Sequence, residues 1–165
     1  SGRLNMRMGG EPDEVQVFGR GYVTGKPGDE GWRRSVYIRQ RRIHTMTLLE
    51  TFDLPTMNPN CVERVNSTVV QQPLYLLHDK VIYGLARQLA SQIQKEAKGI
   101  EPSIRLAYQK IVNRPPSKKE LASMIESVGE LERQFVEAKE TGQRNKALAA
   151  VCHALFNSAA FLYVD

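Results

Sequence analysis

The 165-residue chain is 41% hydrophobic and 25% charged, a balance that excludes a disordered segment and fits one domain with a core of its own. Its 23 basic and 18 acidic residues leave a net charge of +5, spread along the whole chain and too diffuse by itself to mark a binder of polyanions. No window approaches the ~18 uninterrupted apolar residues of a membrane span, the start of the chain lacks the apolar run of a signal peptide, and two cysteines, Cys61 and Cys152, exclude a disulfide framework.

The organisation changes near residue 70. Eight of the twelve glycines precede it, together with short apolar alternations, VQVFGRGYV at 15–23 and SVYI at 35–38, that have the period of strands. Residues 1–70 therefore read as a small β hairpin set in long loops. Beyond them the period is helical. Leu74, Leu77, Val81, Leu85, Leu89 and Ile93 define one apolar stripe, which predicts helix over 73–98, closed near Gly99.

Pro102 suits the first turn of a following helix, where its missing N–H would be unpaired anyway. Ile104, Ala107, Tyr108 and Ile111 form its inner face, and Pro115 and Pro116 stop it at Arg114. Ser117-Lys-Lys-Glu120 is a capping box that opens a helix over 117–140, with Leu121, Met124, Ile125, Val128 and Phe135 inward. A last helix, 143–158, turns Leu148, Val151 and Leu155 inward, and the apolar tail FLYVD is predicted to dock in the core. The fold class is mainly α: a single domain with about four helices over 71–165 and a small N-terminal β element.

Four constellations could carry chemistry, and each has a plainer rival. Cys152-His153 looks like the end of a haem-attachment site, but C-x-x-C-H requires Cys at 149, where the chain has Ala149. Cys61, Cys152, His44, His78 and His153 lack zinc-site spacing, so no metal is expected. The cysteines read as apolar thiols, with a Cys61–Cys152 bridge as the alternative.

The third constellation is the segment from Glu50 to Asp79. Glu50, Asp53, Arg64 and Asn66, with His78 and Asp79 nearby, supply carboxylates for acid–base work and an Arg for an oxyanion. The plainer reading is a loop pinned by its own polar groups, Arg64 forking onto a carboxylate such as Asp53. Catalysis is not expected, because no nucleophile triad, phosphate loop or dinucleotide fingerprint accompanies these residues.

The fourth is RRSVYIRQRR at 33–42, with five arginines. As a strand over 34–41 it would put Tyr37, Arg39 and Arg41 on one face, making Arg39 and Arg41 candidate anion contacts. A nucleic-acid platform needs more aromatics than Tyr37 and Trp32. Glu11, Asp13, Glu14, Glu50 and Asp53 lie in the same half of the chain, so internal ion pairing is the expected use and no nucleic-acid partner is predicted.

SGRLNMRMGG, RRSVYIRQRR, LETFDLP, CVERVNST, PLYLLHD, LARQLA, AYQKIVNRPPSKKEL and the terminal ALFNSAAFLYVD follow one another in this order. Together they resemble, over nearly the whole chain, the C-terminal domain of unknown function of large planctomycete-type cytochrome proteins. The resemblance implies an exported, periplasmic location and the last module of a longer polypeptide, with Ser1 a cut inside a longer domain. It also implies that partners are the other domains of that polypeptide, that any haem sits elsewhere in it, and that no activity is established. The alternative reading is a glycan-binding or enzyme-like site built from the Glu50 to Asp79 segment, with carbohydrate as its partner. The family reads Leu-Asn-Asp-Pro where this chain has Leu77-His78-Asp79-Lys80, so whether one helix or two span 73–98 stays open.

Overall fold

The computed structural model describes residues 2–26, 32–40, 43–55 and 69–163. They form two compact units, 2–75 and 76–165, whose boundary falls inside a helix.

The first unit opens on the predicted hairpin. Strands β1 (Val15–Val17) and β2 (Val23–Gly25) pair antiparallel with Val17 opposite Val23, joined through a 3₁₀ turn at Gly19–Gly21. Val23 is buried, and its N–H donates to Thr47 Oγ1 at 2.9 Å. Thr47 begins the short helix α1 (Thr47–Thr51). Gln72 Nε2 then reaches the Thr51 carbonyl at 3.2 Å, and the hydroxyls of Tyr22 and Tyr75 lie 3.3 Å apart. Only Val23 and Ile38 are buried apolar side chains among the described residues of this unit, so polar ties do much of what a core would do elsewhere.

SVYI does not form the predicted strand. Ser35–Tyr37 is a 3₁₀ turn with Val36 78% exposed, and the stretch touches the N-terminal segment through two isolated parallel bridges, Asn5 to Arg33 and Asp13 to Ile38. Seven residues separate the bridges on one side and four on the other, so no continuous ladder can run between them.

The second unit is helical. The stretch over 73–98 is two helices, α2 (Gln71–His78) and α3 (Lys80–Glu96). Asp79 separates them by accepting from the N–H groups of Val81 (2.7 Å) and Ile82 (3.1 Å) as the N-cap of α3. The predicted single stripe fails at that break: Leu74, Leu77 and Val81 are exposed, while Leu76, Ala86, Leu89, Ala90 and Ile93 are buried. A cap residue in extended conformation resets the helical phase, so a 3.6-residue period cannot be carried across it.

Helix α4 (Ile100–Val112) follows Gly99, whose φ of 111° suits glycine. A Cβ there would also lie 3.3 Å from Pro102 Cδ. Ile104, Ala107, Tyr108 and Ile111 are buried, as their spacing predicts. Asn113, left-handed at φ 57°, ends the helix before the prolines.

The capping box of α5 (Lys118–Glu137) is present in full: Glu120 N–H donates to Ser117 Oγ at 3.3 Å and Ser117 N–H to Glu120 Oε2 at 2.8 Å. Arg114 forks onto the same carboxylate at 2.7 and 3.0 Å. These bonds hold the Glu120 carboxyl well below the usual range, at about 2, with the Arg114 contact the largest cause and the Ser117 bonds next.

Helix α6 (Gln143–Phe156) packs against α3, α4 and α5 and buries Ala147, Leu148, Ala149, Val151, Cys152 and Leu155, more than one face's worth. Its small residues let the neighbouring helices approach closely. The tail forms α7 (Ala159–Leu162), which packs on α4 and α6 with Phe161 edge-on to Phe156 at 5.3 Å between ring centroids. Phe161 stays 39% exposed, so the docking is partial.

Candidate functional site

The most elaborate polar arrangement lies in the first unit, around the first residue of RRSVYIRQRR. Arg33 is buried together with Asp13, their side chains 1% and 4% exposed, and Nη1 lies 3.1 Å from Asp13 Oδ1. The same guanidinium donates to three backbone carbonyls: Nε to Arg7 at 3.3 Å, Nη1 to Glu11 at 3.0 Å and Nη2 to Gly9 at 2.5 Å. Its central carbon, Cζ, lies over the Tyr37 ring, 4.2 Å from the ring centre.

A guanidinium carries five N–H donors in a fixed fork and stays charged when buried, which a lysine would not match at this position. The chain can aim alternate carbonyls at one point because Gly9 and Gly10 both have positive φ, 71° and 77°, a conformation that costs other residues about 1–2 kcal/mol each. Backbone bonds complete the clamp: Asn5 N–H to the Trp32 carbonyl, Asp13 N–H to that of Tyr37 and Arg39 N–H to that of Asp13, each 2.8 Å.

Above this pair opens a cleft of about 290 Å³ lined by Asn5, Arg7, Glu11, Glu14, Lys26 and Arg39, with Arg33 and Asp13 as its floor. Arg39 Nη1 pairs with Glu14 Oε1 at 2.6 Å on the half-exposed rim. The internal ion pairing predicted for this stretch is thus present at Arg33 and Arg39, while Arg41 lies outside the described residues.

The polar set over 50–79 fares differently. Glu50 is exposed on α1, and Asp53, at φ 58°, sits in the turn that ends it; both belong to the first unit. His78 ends α2 and Asp79 caps α3 in the second unit. Arg64 and Asn66 lie outside the described residues, as does the Arg64–Asp53 fork.

Cys152 is a free thiol with no exposure, and burial pushes its pKa up to about 12. Cys61, its candidate bridge partner, lies outside the described residues. His153 Nε2 lies 3.1 Å from the Leu76 carbonyl, serving an acceptor that the end of α2 leaves without a helical partner, and its ring meets Tyr83 edge-on at 5.6 Å. A sealed thiol, a hydrogen-bonded imidazole and Ala149 do not fit covalent haem attachment. Among the described residues, no three His, Cys, Asp or Glu side chains converge as metal ligands, and no helix is long and apolar enough to cross a membrane.

The acidic residues opposite Arg33 and Arg39 were visible in the sequence as candidate partners. The clamp itself was not, although the Gly-Gly step in front of EPDE was a signal that the backbone turns there to present carbonyls. With the geometry in place, similarity adds a family. The model of the family described as PSD1, Protein of unknown function (DUF1553), matches residues 1–128, and the chain belongs to that family. No curated protein and no solved structure matches it significantly.

Proposed function

We propose that this member of the family is a non-catalytic module at the C-terminal end of a large, exported, multidomain polypeptide that carries a c-type cytochrome domain elsewhere. Its partners are the other domains of that polypeptide, and haem belongs to them. The observation that carries the reading is the structural employment of the side chains that could have done chemistry. Asp79 caps a helix, Asp13 is occupied by Arg33, Glu120 by Arg114 and Ser117, and Cys152 is sealed in the helical core. The ordered resemblance of its segments to planctomycete-type cytochrome-associated proteins supplies the context of export.

Two measurements test this. The chain, incubated with a panel of glycoside, ester and phosphoester substrates, should give no turnover above buffer. Turnover that disappears in Glu50→Gln or Asp53→Asn would establish the enzyme-like reading of the 50–79 segment instead. Fractionation of the producing cells should place the full polypeptide outside the cytoplasm, with haem staining at its mass, and a cytoplasmic, haem-free polypeptide would overturn the context.

A further inference from the structure

The cleft above Arg33 and Asp13 carries two charges that the fold does not use. Arg39 and Glu14 neutralise each other, and the floor is a closed ion pair. The Arg7 guanidinium and the Glu11 carboxylate, by contrast, make no side-chain hydrogen bond or ion pair among the described residues, although both line the cleft.

Their backbones are not free to wander. The carbonyls of Arg7 and Glu11 accept from Nε and Nη1 of the same buried guanidinium, which ties the main chain at both residues to one anchor. Arg7 N–H is further held by Asn5 Oδ1 at 2.9 Å. A Cβ at Gly10 would lie 3.9 Å from Arg7 Nη2, so the guanidinium lies beside the glycine turn that leads into Glu11.

A cation and an anion that are unused, close in sequence and mounted on one rigid frame form a receptor for the inverse pair of charges. We propose that this cleft binds a small zwitterion with the chemistry of a free α-amino acid, its carboxylate on Arg7 and its ammonium on Glu11. A volume of about 290 Å³ sits at the lower edge of the ~300–1,000 Å³ of ligand pockets, which selects a small ligand. The charged lining disfavours an apolar one. Because both groups are solvent-exposed, screening keeps the interaction weak, with Kd on the order of 1 mM.

The test is a titration of the chain with glycine, and separately with acetate and methylammonium, following backbone amide shifts by NMR. Glycine should produce saturable shifts over residues 7–14. Arg7→Gln and Glu11→Gln should each weaken it about tenfold or more, the scale of a lost hydrogen bond to a charged group. Both variants keep the main-chain carbonyls that Arg33 needs, and unchanged shifts at Asn5, Asp13 and Arg39 would verify that the clamp is intact. Absence of saturation with glycine overturns the proposal. So does acetate binding as tightly as glycine with Glu11→Gln harmless, or methylammonium doing so with Arg7→Gln harmless, since either describes a site for one charge only.

Discussion

Replacing Arg33 by Met keeps much of the side chain's volume while removing the charge and all five donors. The largest effect falls on Asp13, whose side chain is 4% exposed and loses the guanidinium 3.1 Å away. Breaking a buried pair from one side costs about 3–5 kcal/mol. The carbonyls of Arg7, Gly9 and Glu11 are only partly buried and can turn to water, so each adds at most a net hydrogen bond of roughly 0.5–1.5 kcal/mol, and within one network these terms do not sum. At 1.4 kcal/mol per factor of ten, 3–5 kcal/mol is roughly a 150- to 4,000-fold loss of local stability. Because the chain forms two units, one melting curve can blur that loss, and amide hydrogen exchange at Asn5, Asp13 and Arg39, whose N–H groups close the clamp, reads it directly. Arg33→Lys should fall between wild type and Arg33→Met, since it keeps the charge without the fork. If Arg33→Met leaves exchange at those three amides unchanged, the clamp does not hold the unit together.

Asp79→Ala should destabilise the second unit by about 1 kcal/mol through loss of the α3 cap, measured by urea denaturation; no change would mean that the α2–α3 break is set by something else. Ser117→Ala should cost a similar amount. The contribution of Glu120, whose folded pKa is depressed to about 2, should be fully present above its unfolded value of roughly 4.3 and be lost as pH falls towards 2. Comparing acid titrations of wild type and Glu120→Gln checks it, the difference between them vanishing at the acid end. Cys152 should resist a thiol reagent at pH 8 until the protein unfolds, because its pKa is pushed up to about 12 and it has no exposure; rapid native labelling would contradict the packing of α6. Fluorescence anisotropy with mixed-sequence DNA and RNA should show nothing tighter than about 10⁻⁴ to 10⁻⁶ M, and submicromolar, salt-sensitive binding lost in Arg39→Gln would restore the nucleic-acid reading of RRSVYIRQRR.

What could be read from the sequence was local. Ser117-x-x-Glu120 and the Ile104–Ile111 face depend on neighbours within a turn or two, and each lies where the spacing puts it, while the helix expected to run to Arg114 before the prolines already ends at Val112, turned out by left-handed Asn113. The β hairpin at 15–25 was legible for the same reason. The failures were non-local or involved a change of phase. One capping carboxylate at Asp79 redirects a stripe that otherwise looks continuous from Leu74 to Ile93. Helix α6 is buried on more than one face, so naming only Leu148, Val151 and Leu155 as its inner side missed Ala147, Ala149 and Cys152. Alternation in SVYI promised a strand, but the partner segment runs past it with a different number of residues between contacts. The candidate set over 50–79 joined residues that are neighbours in the chain, and the described ones belong to different compact units.

The Arg33 clamp also orders events in time. During synthesis, at about 5–20 residues per second, the acceptors on Arg7, Gly9, Glu11 and Asp13 emerge well before their donor, and the glycine turn has nothing to close upon until residue 33 follows. Closure over so short a loop carries little chain entropy, so the N-terminal segment should lock within moments of Arg33 becoming available. A form of the protein that starts beyond Gly10 would leave the guanidinium without the Arg7 and Gly9 carbonyls, and the damage would surface in the 32–39 stretch instead of at the cut.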